Sequence, residues 1–193
     1  MSHIPPVALK EWAVAIKALD EGKQILLIRK GGIREETRDF RLQENTFFLY
    51  PTYEHQKANL IKQEFQSDLE ETLTDFDPTK QETVTITHYA KVVEDIELYD
   101  EETLSELAPH YIYTTSYAAE RLHWKKTKPL HVLPVRAYRL TNPVSIPVKE
   151  QYLGCFSWIP LEDMLPDVDA VPVLSDDEFG QKLQQVKLIL KEV

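Results

Sequence analysis

Apolar residues in the N-terminal part of the sequence predict one helix and two buried strands. From Leu9 to Leu19 they recur at spacings of three and four, which is typical of one face of a helix, and Gly22 follows as a helix stop. The runs from Gln24 to Ile28 and from Phe47 to Tyr50 are short and almost continuously apolar. Such runs favour strands that are buried on both faces.

Glycine and proline residues mark the turns between these elements. Gly31 and Gly32 predict a turn or a bulge after the first strand. Pro51 ends the second strand and suits the first turn of a helix, which we predict from about Thr52 to Phe65. Residues 83–98 then alternate between apolar and polar side chains, and a shift of phase near residues 91–93 predicts a bulge or a second strand.

The C-terminal half is predicted to contain short helices and strands. In chain order these are a helix around Leu104 and Leu107, a helix from Tyr117 to Trp124, a strand from Val132 to Leu140, a strand at residues 156–159 and a terminal helix. Pro134 requires an edge position or a bulge in the longer strand. Ser175 and Glu178 form a capping box at the start of the terminal helix.

Helices and strands are interspersed without a regular βαβ order, which favours the α+β class. We predict a small, mostly antiparallel β-barrel decorated with helices. Residues 1–193 are expected to form a single domain, in which residues 7–140 form a barrel-like core. Residues 141–193 are expected to form a C-terminal extension that ends in a helix.

The composition is that of an ordinary globular protein, with 42% hydrophobic and 28% charged residues. It excludes extended disorder, collagen and disulfide scaffolds. No apolar run approaches the roughly 20 residues of a membrane helix, and the first residues lack the pattern of a signal peptide. The single cysteine, Cys155, cannot form an internal disulfide. We therefore expect a cytoplasmic protein with no membrane partner.

The basic residues are concentrated in two stretches that contain no acid, although the formal net charge is -10. Residues 121–149 and residues 23–34 together hold half of the 22 lysine and arginine residues. Their cations are Lys23, Arg29, Lys30 and Arg34 in one stretch and Arg121, Lys125, Lys126, Lys128, Arg136, Arg139 and Lys149 in the other. This pattern is expected either of solvated faces or of a cationic pocket on an anionic body, and a pocket would select an anionic or nucleotide-like ligand.

Three segments supply candidate binding residues. Lys23 and Arg29 flank the first strand, but roughly 20 Å of straight strand would separate them, so both contact one ligand only if the strand curls. The strand-to-helix junction at residues 50–56 combines tyrosines with a histidine and a glutamine, which can stack on a planar base and bind its edge. Arg121 and Trp124 share one face of the helix predicted over Tyr117 to Trp124, beside further lysines, so phosphate contact and stacking are both available.

Catalytic and metal-binding patterns are absent from the sequence. Ser157 lies near Cys155 without a Gly-x-Ser-x-Gly motif or a paired base, so neither is predicted to be a nucleophile. The six histidines lack the spacings of zinc sites. Glu54 with Lys57 fits the acid and lysine pattern of nucleases only weakly. No metal or other cofactor is predicted.

Two families resemble this sequence. Residues 8–16, 29–33 and 48–56 resemble a bacterial domain-of-unknown-function family, number 1802, known mostly from cyanobacteria and bacilli and without an established activity. More distantly, Gly22, Lys23 and Arg29 resemble the opening of ASCH domains in the PUA-like superfamily. That resemblance implies a barrel that binds RNA or modified bases. The lysine, threonine and glutamate of ASCH hydrolases are not all matched, because Ile25 and Leu27 stand at the threonine and glutamate positions.

Together these observations predict a domain that binds a nucleotide, a modified base or a single-stranded segment of RNA or DNA. The predicted ligand-binding residues are Lys23, Arg29, Lys30, Tyr50, Tyr53, His55, Gln56, Arg121, Trp124, Lys125 and Arg136. One alternative is a metal-dependent nuclease or hydrolase linked to DNA restriction or defence. Another is a protein-interaction module that uses the acidic residues 64–106.

Overall fold

The computed structural model describes residues 2–30, 40–164 and 167–190, which form an α+β fold. The strands in these ranges are β1 Ser2–His3, β2 Val7–Trp12, β3 Leu26–Arg29, β4 Thr46–Thr52, β5 Thr83–Val92, β6 Ile96–Leu98, β7 Leu130–Pro147, β8 Trp158–Pro160, β9 Asp167–Val168 and β10 Ala170–Pro172. The α-helices are α1 Ala13–Asp20, α2 Gln66–Leu73, α3 Glu101–Glu106, α4 Thr115–His123 and α5 Asp176–Leu190. No helix among the described residues combines the length and the apolar character needed to cross a membrane.

The main sheet has the strand order β10-β7-β5-β4-β2-β8, and β3 and β6 also pair with β7. Among the described strands every pair is antiparallel except β2 with β4. The sheet curls into a half-barrel and the helices pack around it, which confirms the predicted α+β, barrel-like class. The long strand β7 continues across residues 140 and 141, where we placed the start of a C-terminal extension.

The central strand β4 explains why its sequence is continuously apolar. Successive side chains of a strand point to opposite faces. Phe47 and Leu49 therefore pack in one hydrophobic cluster, whereas Phe48 and Tyr50 pack in another. Burial on both faces removes the apolar–polar alternation, as expected for a covered strand.

The helix predicted over Leu9 to Leu19 is wrong in its first part. Residues 7–12 form β2, which lies between β4 and β8, and α1 begins only at Ala13. Ala8 and Leu9 are buried on opposite faces of this strand. A strand that is covered on both faces does not alternate between apolar and polar residues. The apolar residues of β2 therefore could not be distinguished from those of α1, and the two elements together had the spacing of one longer helix.

The helix predicted from Thr52 to Phe65 is also wrong. β4 continues through Pro51 to Thr52, and the chain then forms 3-10 turns at Ala58–Leu60 and Gln63–Phe65 before α2. Pairing with β5 ends at Phe48, so at Pro51 β4 has a neighbouring strand on one side only. A proline is tolerated in a strand at such a position.

Pro134 lies inside β7, which is central in the sheet, so the expected edge position is wrong. Val135 donates its N–H to Ile25 O in the direction of β3. The ring nitrogen of Pro134 therefore faces away from β3. On that side β6 pairs with β7 only up to Val132 and β5 pairs with it only from Val135, so Pro134 lies in the gap between them. Its missing donor is not needed there.

Other predictions are confirmed in detail. Ser175 Oγ accepts from Glu178 N–H at 3.2 Å, and Glu178 Oε2 accepts from Ser175 N–H at 2.9 Å, which is the predicted capping box. The predicted second strand after residues 91–93 is β6. The turn predicted at Gly31 and Gly32, and the cation of Arg34, lie outside the described residues.

A polar cluster joins the C-terminal end of α1 to the sheet. Asp20 Oδ1 lies 2.6 Å from His88 Nε2 and accepts from Arg139 Nε at 2.6 Å, and Thr87 Oγ1 lies 2.7 Å from His88 Nδ1. Burial lowers the pKa of His88, and the carboxylate of Asp20 opposes this only in part. Burial raises the pKa of Asp20, but hydrogen bonds from Arg139 and His88 outweigh it, so that pKa is also lowered.

We expect the free energy of unfolding to decrease as the pH falls below about 6.5, the pKa of an unfolded histidine. In that range the unfolded chain takes up a proton that folded His88 resists, so stability rises with pH. His88→Gln should flatten this slope, whereas His3→Gln, at an exposed histidine, should not. Urea unfolding at pH 5, 6 and 7 measures the slopes, and parallel slopes for His88→Gln and the wild type would contradict the expectation.

Candidate functional site

The parallel strands β2 and β4 end at a cleft of about 800 Å³. Residues 10–12 of β2 are in register with residues 50–52 of β4, and both groups line the cleft. Helix α4 and residues 152–157 form further parts of the wall. The volume lies within the range of about 300–1,000 Å³ that is common for small-molecule sites.

Aromatic rings form much of the wall. Trp12 packs edge-on against Tyr113, with ring centroids 5.5 Å apart, and stacks on Tyr117 at the same distance. Tyr53 stacks on Phe76 at 4.6 Å. The remaining aromatic residues of the wall are Tyr50, Trp124, Tyr152 and Phe156. Such rings offer flat apolar faces to a planar ligand.

Four tyrosines of the wall, namely Tyr50, Tyr53, Tyr113 and Tyr117, have raised pKa values and are neutral at physiological pH. Burial raises the pKa of Tyr50 to about 12. Burial also raises the pKa of Tyr113 well above its usual value, and the nearby carboxylate of Glu11 adds to this effect. These phenols therefore remain hydrogen-bond donors and do not add negative charge to the cleft.

A buried ion pair closes the floor of the cleft. Glu11 is only 4% exposed, and its Oε2 lies 3.4 Å from Arg29 Nη1 while its Oε1 accepts from Trp12 N–H at 2.8 Å. Arg29 also donates to Lys10 O at 3.0 Å and to Ser157 Oγ at 2.8 Å. Burial raises the pKa of Glu11, and the guanidinium of Arg29 opposes that rise. Ser157 Oγ accepts from the guanidinium of Arg29, and no described residue is positioned to take up its proton as a general base.

Arg121 lines the same cleft, and in the part of the chain that the structure describes no carboxylate forms an ion pair with it. Its guanidinium carbon is 5.4 Å from the centre of the Trp124 ring, and Lys125 Nζ is 4.6 Å from that ring. Among the described residues Arg121 makes no hydrogen bond and no ion pair. The charge of the guanidinium opposes the rise that burial causes in the pKa of Glu11, but its N–H donors make no hydrogen bond within the described residues and can bind an anion beside the Trp124 ring.

The charges of the cleft differ between its interior and its rim. The lining contains Lys10, Arg29 and Arg121, but also Glu11, Glu54 and Glu120, so the expected uniformly cationic pocket is not observed. Glu54 and Glu120 are exposed at the rim. The charged lining residues that are not exposed are three cations and one carboxylate. The interior thus favours an anion although the whole chain is acidic.

The structure brings six of the predicted ligand-binding residues to this cleft and leaves five outside its described lining. Those in the cleft are Arg29, Tyr50, Tyr53, His55, Arg121 and Trp124. Those that do not line it are Lys23, Lys30, Gln56, Lys125 and Arg136. Both acid-free stretches and the junction at residues 50–56 therefore contribute to one cleft, each through only some of the residues that were predicted.

The lysines of the first acid-free stretch bind other parts of the protein. Lys23 pairs with Asp68 at 2.8 Å and also with Glu21. Lys30 is 1% exposed and donates to Leu122 O at 2.7 Å and to Lys128 O at 2.5 Å, near the end of α4. They connect elements of the fold and do not face the cleft.

Gln56 and Arg136 likewise have structural contacts. Gln56 Oε1 accepts from Val14 N–H at 3.1 Å, which satisfies a donor in the first turn of α1, and Gln56 Nε2 donates to Thr72 Oγ1 at 3.1 Å. Arg136 pairs with Asp176 at 2.5 Å, and its guanidinium lies 5.5 Å from the ring centre of Phe179. Gln56 thus caps α1, and Arg136 ties α5 to the sheet.

The most informative cleft residues that the sequence did not reveal are Lys10, Glu11 and Trp12. The helix predicted over residues 9–19 placed them on helix faces. Had residues 7–12 been assigned to a strand parallel to β4, their position beside Tyr50 would have followed from the register. Tyr113 and Tyr117 carried no sequence signal, because they reach the cleft only through tertiary packing.

The acids considered for a nuclease do not form a metal site. Glu54 lies exposed at the rim. Among the described residues no group of three or more histidine, cysteine, aspartate or glutamate side chains could hold a metal ion. Cys155 is exposed.

Two solved structures are similar to this chain. The crystal structure of ASCH from Zymomonas mobilis is 15% identical with a TM-score of 0.41, and the match covers 92% of each chain. The crystal structure of a serine-to-alanine mutant of ZmASCH from the same organism is also 15% identical with a TM-score of 0.41, and the match covers 95% of this chain and 99% of that one.

A comparison with curated proteins gave no match. The motifs at residues 8–16, 29–33 and 48–56 predicted a family, and the comparison with family models confirms it. The model described as a domain of unknown function, DUF1802, matches residues 8–185, and the chain therefore belongs to the DUF1802 family.

Proposed function

We propose that the cleft binds a nucleotide, either free, with a modified base, or as one unit of a single strand of RNA or DNA. The observation that carries the proposal is the guanidinium of Arg121, which forms no ion pair with any described residue and lies 5.4 Å from the centre of the Trp124 ring at the wall of an aromatic cleft. An arginine in this state suits the phosphate group. The neighbouring rings suit the base, because every base has a flat face that can stack.

The floor of the cleft provides hydrogen-bonding groups for the edge of a base. Lys10 Nζ has donors beyond the one it gives to Gly154 O, and Ser157 keeps its own hydroxyl proton while accepting from Arg29. The carboxylate of Glu11 adds an acceptor. A few polar groups within a mainly apolar wall are typical of sites that orient one small ligand.

The charge distribution favours local recognition over coating of a long strand. A chain with a formal net charge of -10 repels a polyphosphate over most of its surface. Its inner cleft, in contrast, has an excess of cations over carboxylates. We therefore expect few phosphate contacts and a modest dependence of affinity on salt.

Tryptophan fluorescence tests the proposal, because Trp12 and Trp124 line the cleft. Titrations with nucleoside monophosphates and with single-stranded hexanucleotides at several salt concentrations give affinities and salt slopes. Arg121→Ala should weaken binding about tenfold to a hundredfold, the effect of one charged hydrogen-bonding partner. It should also reduce the salt slope by about one.

Lys126→Ala is the matched control. Lys126 lies in the same acid-free stretch and is exposed, and it does not line the cleft. Both variants remove one positive charge, so equal losses in the two variants would contradict a specific contact at Arg121. Absence of binding to every nucleotide and oligonucleotide would overturn the proposal, and a preference for one probe would distinguish free nucleotides from strands.

A further inference from the structure

We propose that Lys10 is a reactive amine that forms an imine with an aldehyde or ketone bound in the cleft. The inference goes beyond the proposed function, because it does not require the ligand to be a nucleotide. It rests on the surroundings of the Lys10 side chain, on a comparison with the other buried lysines, and on the rings and the cation that line the same cleft.

Lys10 is an unusual residue for its position in the sheet. It lies in β2 between Leu9 and Glu11 and is 9% exposed, yet it lines the cleft. Its Nζ donates to Gly154 O at 3.1 Å, and among the described residues no carboxylate oxygen lies within ion-pairing distance of it. A buried ammonium without a counterion is costly, and this cost favours the neutral amine.

Two other buried or half-buried lysines show what a structural lysine looks like in this fold. Lys30 donates to two carbonyl oxygens, and Lys62 donates to Ala108 O and Tyr111 O and lies 5.0 Å from the centre of the Tyr111 ring. Neither of them lines the cleft. Lys10 donates to one carbonyl oxygen, whereas Lys30 and Lys62 each donate to two, and Lys10 opens onto the cleft.

Burial also makes the neutral, nucleophilic form of the Lys10 amine more favourable. Burial lowers the pKa of Lys10, and the nearby Cys155 thiol and Glu54 carboxylate raise it by smaller amounts. A lysine whose pKa is lowered by desolvation carries more of the free electron pair at neutral pH. The position of Lys10 at the cleft and the effect of burial on its protonation therefore both favour a reactive amine.

The reaction needs no oxidant or reductant. The nitrogen lone pair of Lys10 attacks the carbonyl carbon, a C–N bond forms, and the carbonyl oxygen takes up a proton from the amine to give a carbinolamine. The C–O bond then breaks, water leaves, and a C=N bond remains. Amine and carbonyl compound thus give imine and water.

The rest of the cleft indicates which carbonyl compounds fit. The aromatic wall at Tyr50 and Tyr53 favours a planar compound, and Arg121 favours one that also carries an anionic group. Pyridoxal 5′-phosphate combines a ring, an aldehyde and a phosphate, and is therefore a suitable probe. Benzaldehyde has the ring and the aldehyde without the anion and serves as the second probe.

The test modifies the folded protein with a limiting amount of each probe, reduces the imines with borohydride and measures every lysine by peptide mass spectrometry. Burial lowers the pKa of Lys10, so more of it is the neutral amine at neutral pH, and the cleft gives the probe access to it. We expect Lys10 to be modified several-fold faster than the exposed Lys80 and Lys126. Lys30 and Lys62 are internal controls and should react slowly.

Two variants separate the contributions. Arg121→Ala should slow the modification of Lys10 by pyridoxal 5′-phosphate and leave its modification by benzaldehyde unchanged. Lys10→Arg keeps the positive charge and removes the amine, so it should abolish the modified peptide. Modification of Lys10 in the wild type no faster than that of exposed lysines overturns the inference. If nucleotides still bind in that case, the proposed function stands by itself.

Discussion

Replacing Arg29 with methionine is expected to lower the free energy of unfolding by about 3–5 kcal/mol, the usual effect of removing one partner from a buried ion pair. The carboxylate of Glu11, only 4% exposed, would keep the Trp12 N–H but lose the guanidinium. Ser157 Oγ and Lys10 O would also lose their donor. Methionine fills a similar volume, so the loss would come mainly from the unpaired polar groups.

Urea unfolding at pH 7 measures this effect, with Arg41→Met as the matched control. Arg41 is exposed, and its replacement should change stability by no more than about 0.5 kcal/mol. Adding Glu11→Gln to Arg29→Met should recover part of the loss, because it removes the uncompensated charge. Equal stabilities for Arg29→Met and Arg41→Met would show that the pair at the floor of the cleft contributes nothing.

The pH adds an independent check on the same pair. Burial already raises the pKa of Glu11, and loss of Arg29 would raise it further. Folded Arg29→Met then takes up a proton at a higher pH than the unfolded chain does. Its stability relative to the wild type should therefore improve as the pH is lowered from 7 towards 5.

Arg29 and Lys30 show how far the sequence could predict the site. Both belong to one acid-free stretch, and the charge pattern treats them alike. In the structure Arg29 lines the cleft whereas Lys30 is buried beneath the end of α4. Arg29 is the last residue of β3 and Lys30 follows it, and only the elements that pack around this end of the strand decide which of the two side chains reaches the cleft.

The junction after β4 gives the same lesson. Tyr50, Tyr53 and His55 line the cleft, but Gln56 is turned away to cap α1. The shared helix face of Arg121 and Trp124 was predicted from their spacing within one element, and both residues do line the cleft. Spacing within one element was thus informative, whereas contacts between distant segments were not.

The fold, like the site, could be predicted where it depends on residues that are close in the sequence. The strand runs, the capping box of α5 and the α+β class could be predicted from residues close in sequence. The strand β2 could not, because its burial between β4 and β8 depends on partners far along the chain. The same error hid Lys10 and Glu11, so the site was incomplete for the same physical reason as the fold.

Replacing Lys30 with methionine is expected to lower the free energy of unfolding by about 1–4 kcal/mol, because one buried and one partly buried carbonyl oxygen would lose their donor, which costs about 1–3 kcal/mol for a buried group. These are Leu122 O, in the last turn of α4, and Lys128 O. Burial lowers the pKa of Lys30, and Arg121 and Lys125 lower it further, so relief of a buried charge would offset part of this loss.

Lys23→Met is the matched control from the same stretch, and two measurements separate a structural lysine from a ligand-binding one. Lys23 is 41% exposed in its ion pairs with Glu21 and Asp68, so its loss should cost about 0–1 kcal/mol. The charge pattern predicted that Lys30 binds the anionic ligand. In that case Lys30→Met should be as stable as the wild type and should bind nucleotides more weakly. The contacts of Lys30 in the structure predict the reverse. Lys30→Met should unfold at lower urea concentrations than the wild type, and it should bind nucleotides with unchanged affinity at temperatures where it stays folded. A stable Lys30→Met with weakened affinity would therefore move the phosphate site from Arg121 to the first acid-free stretch.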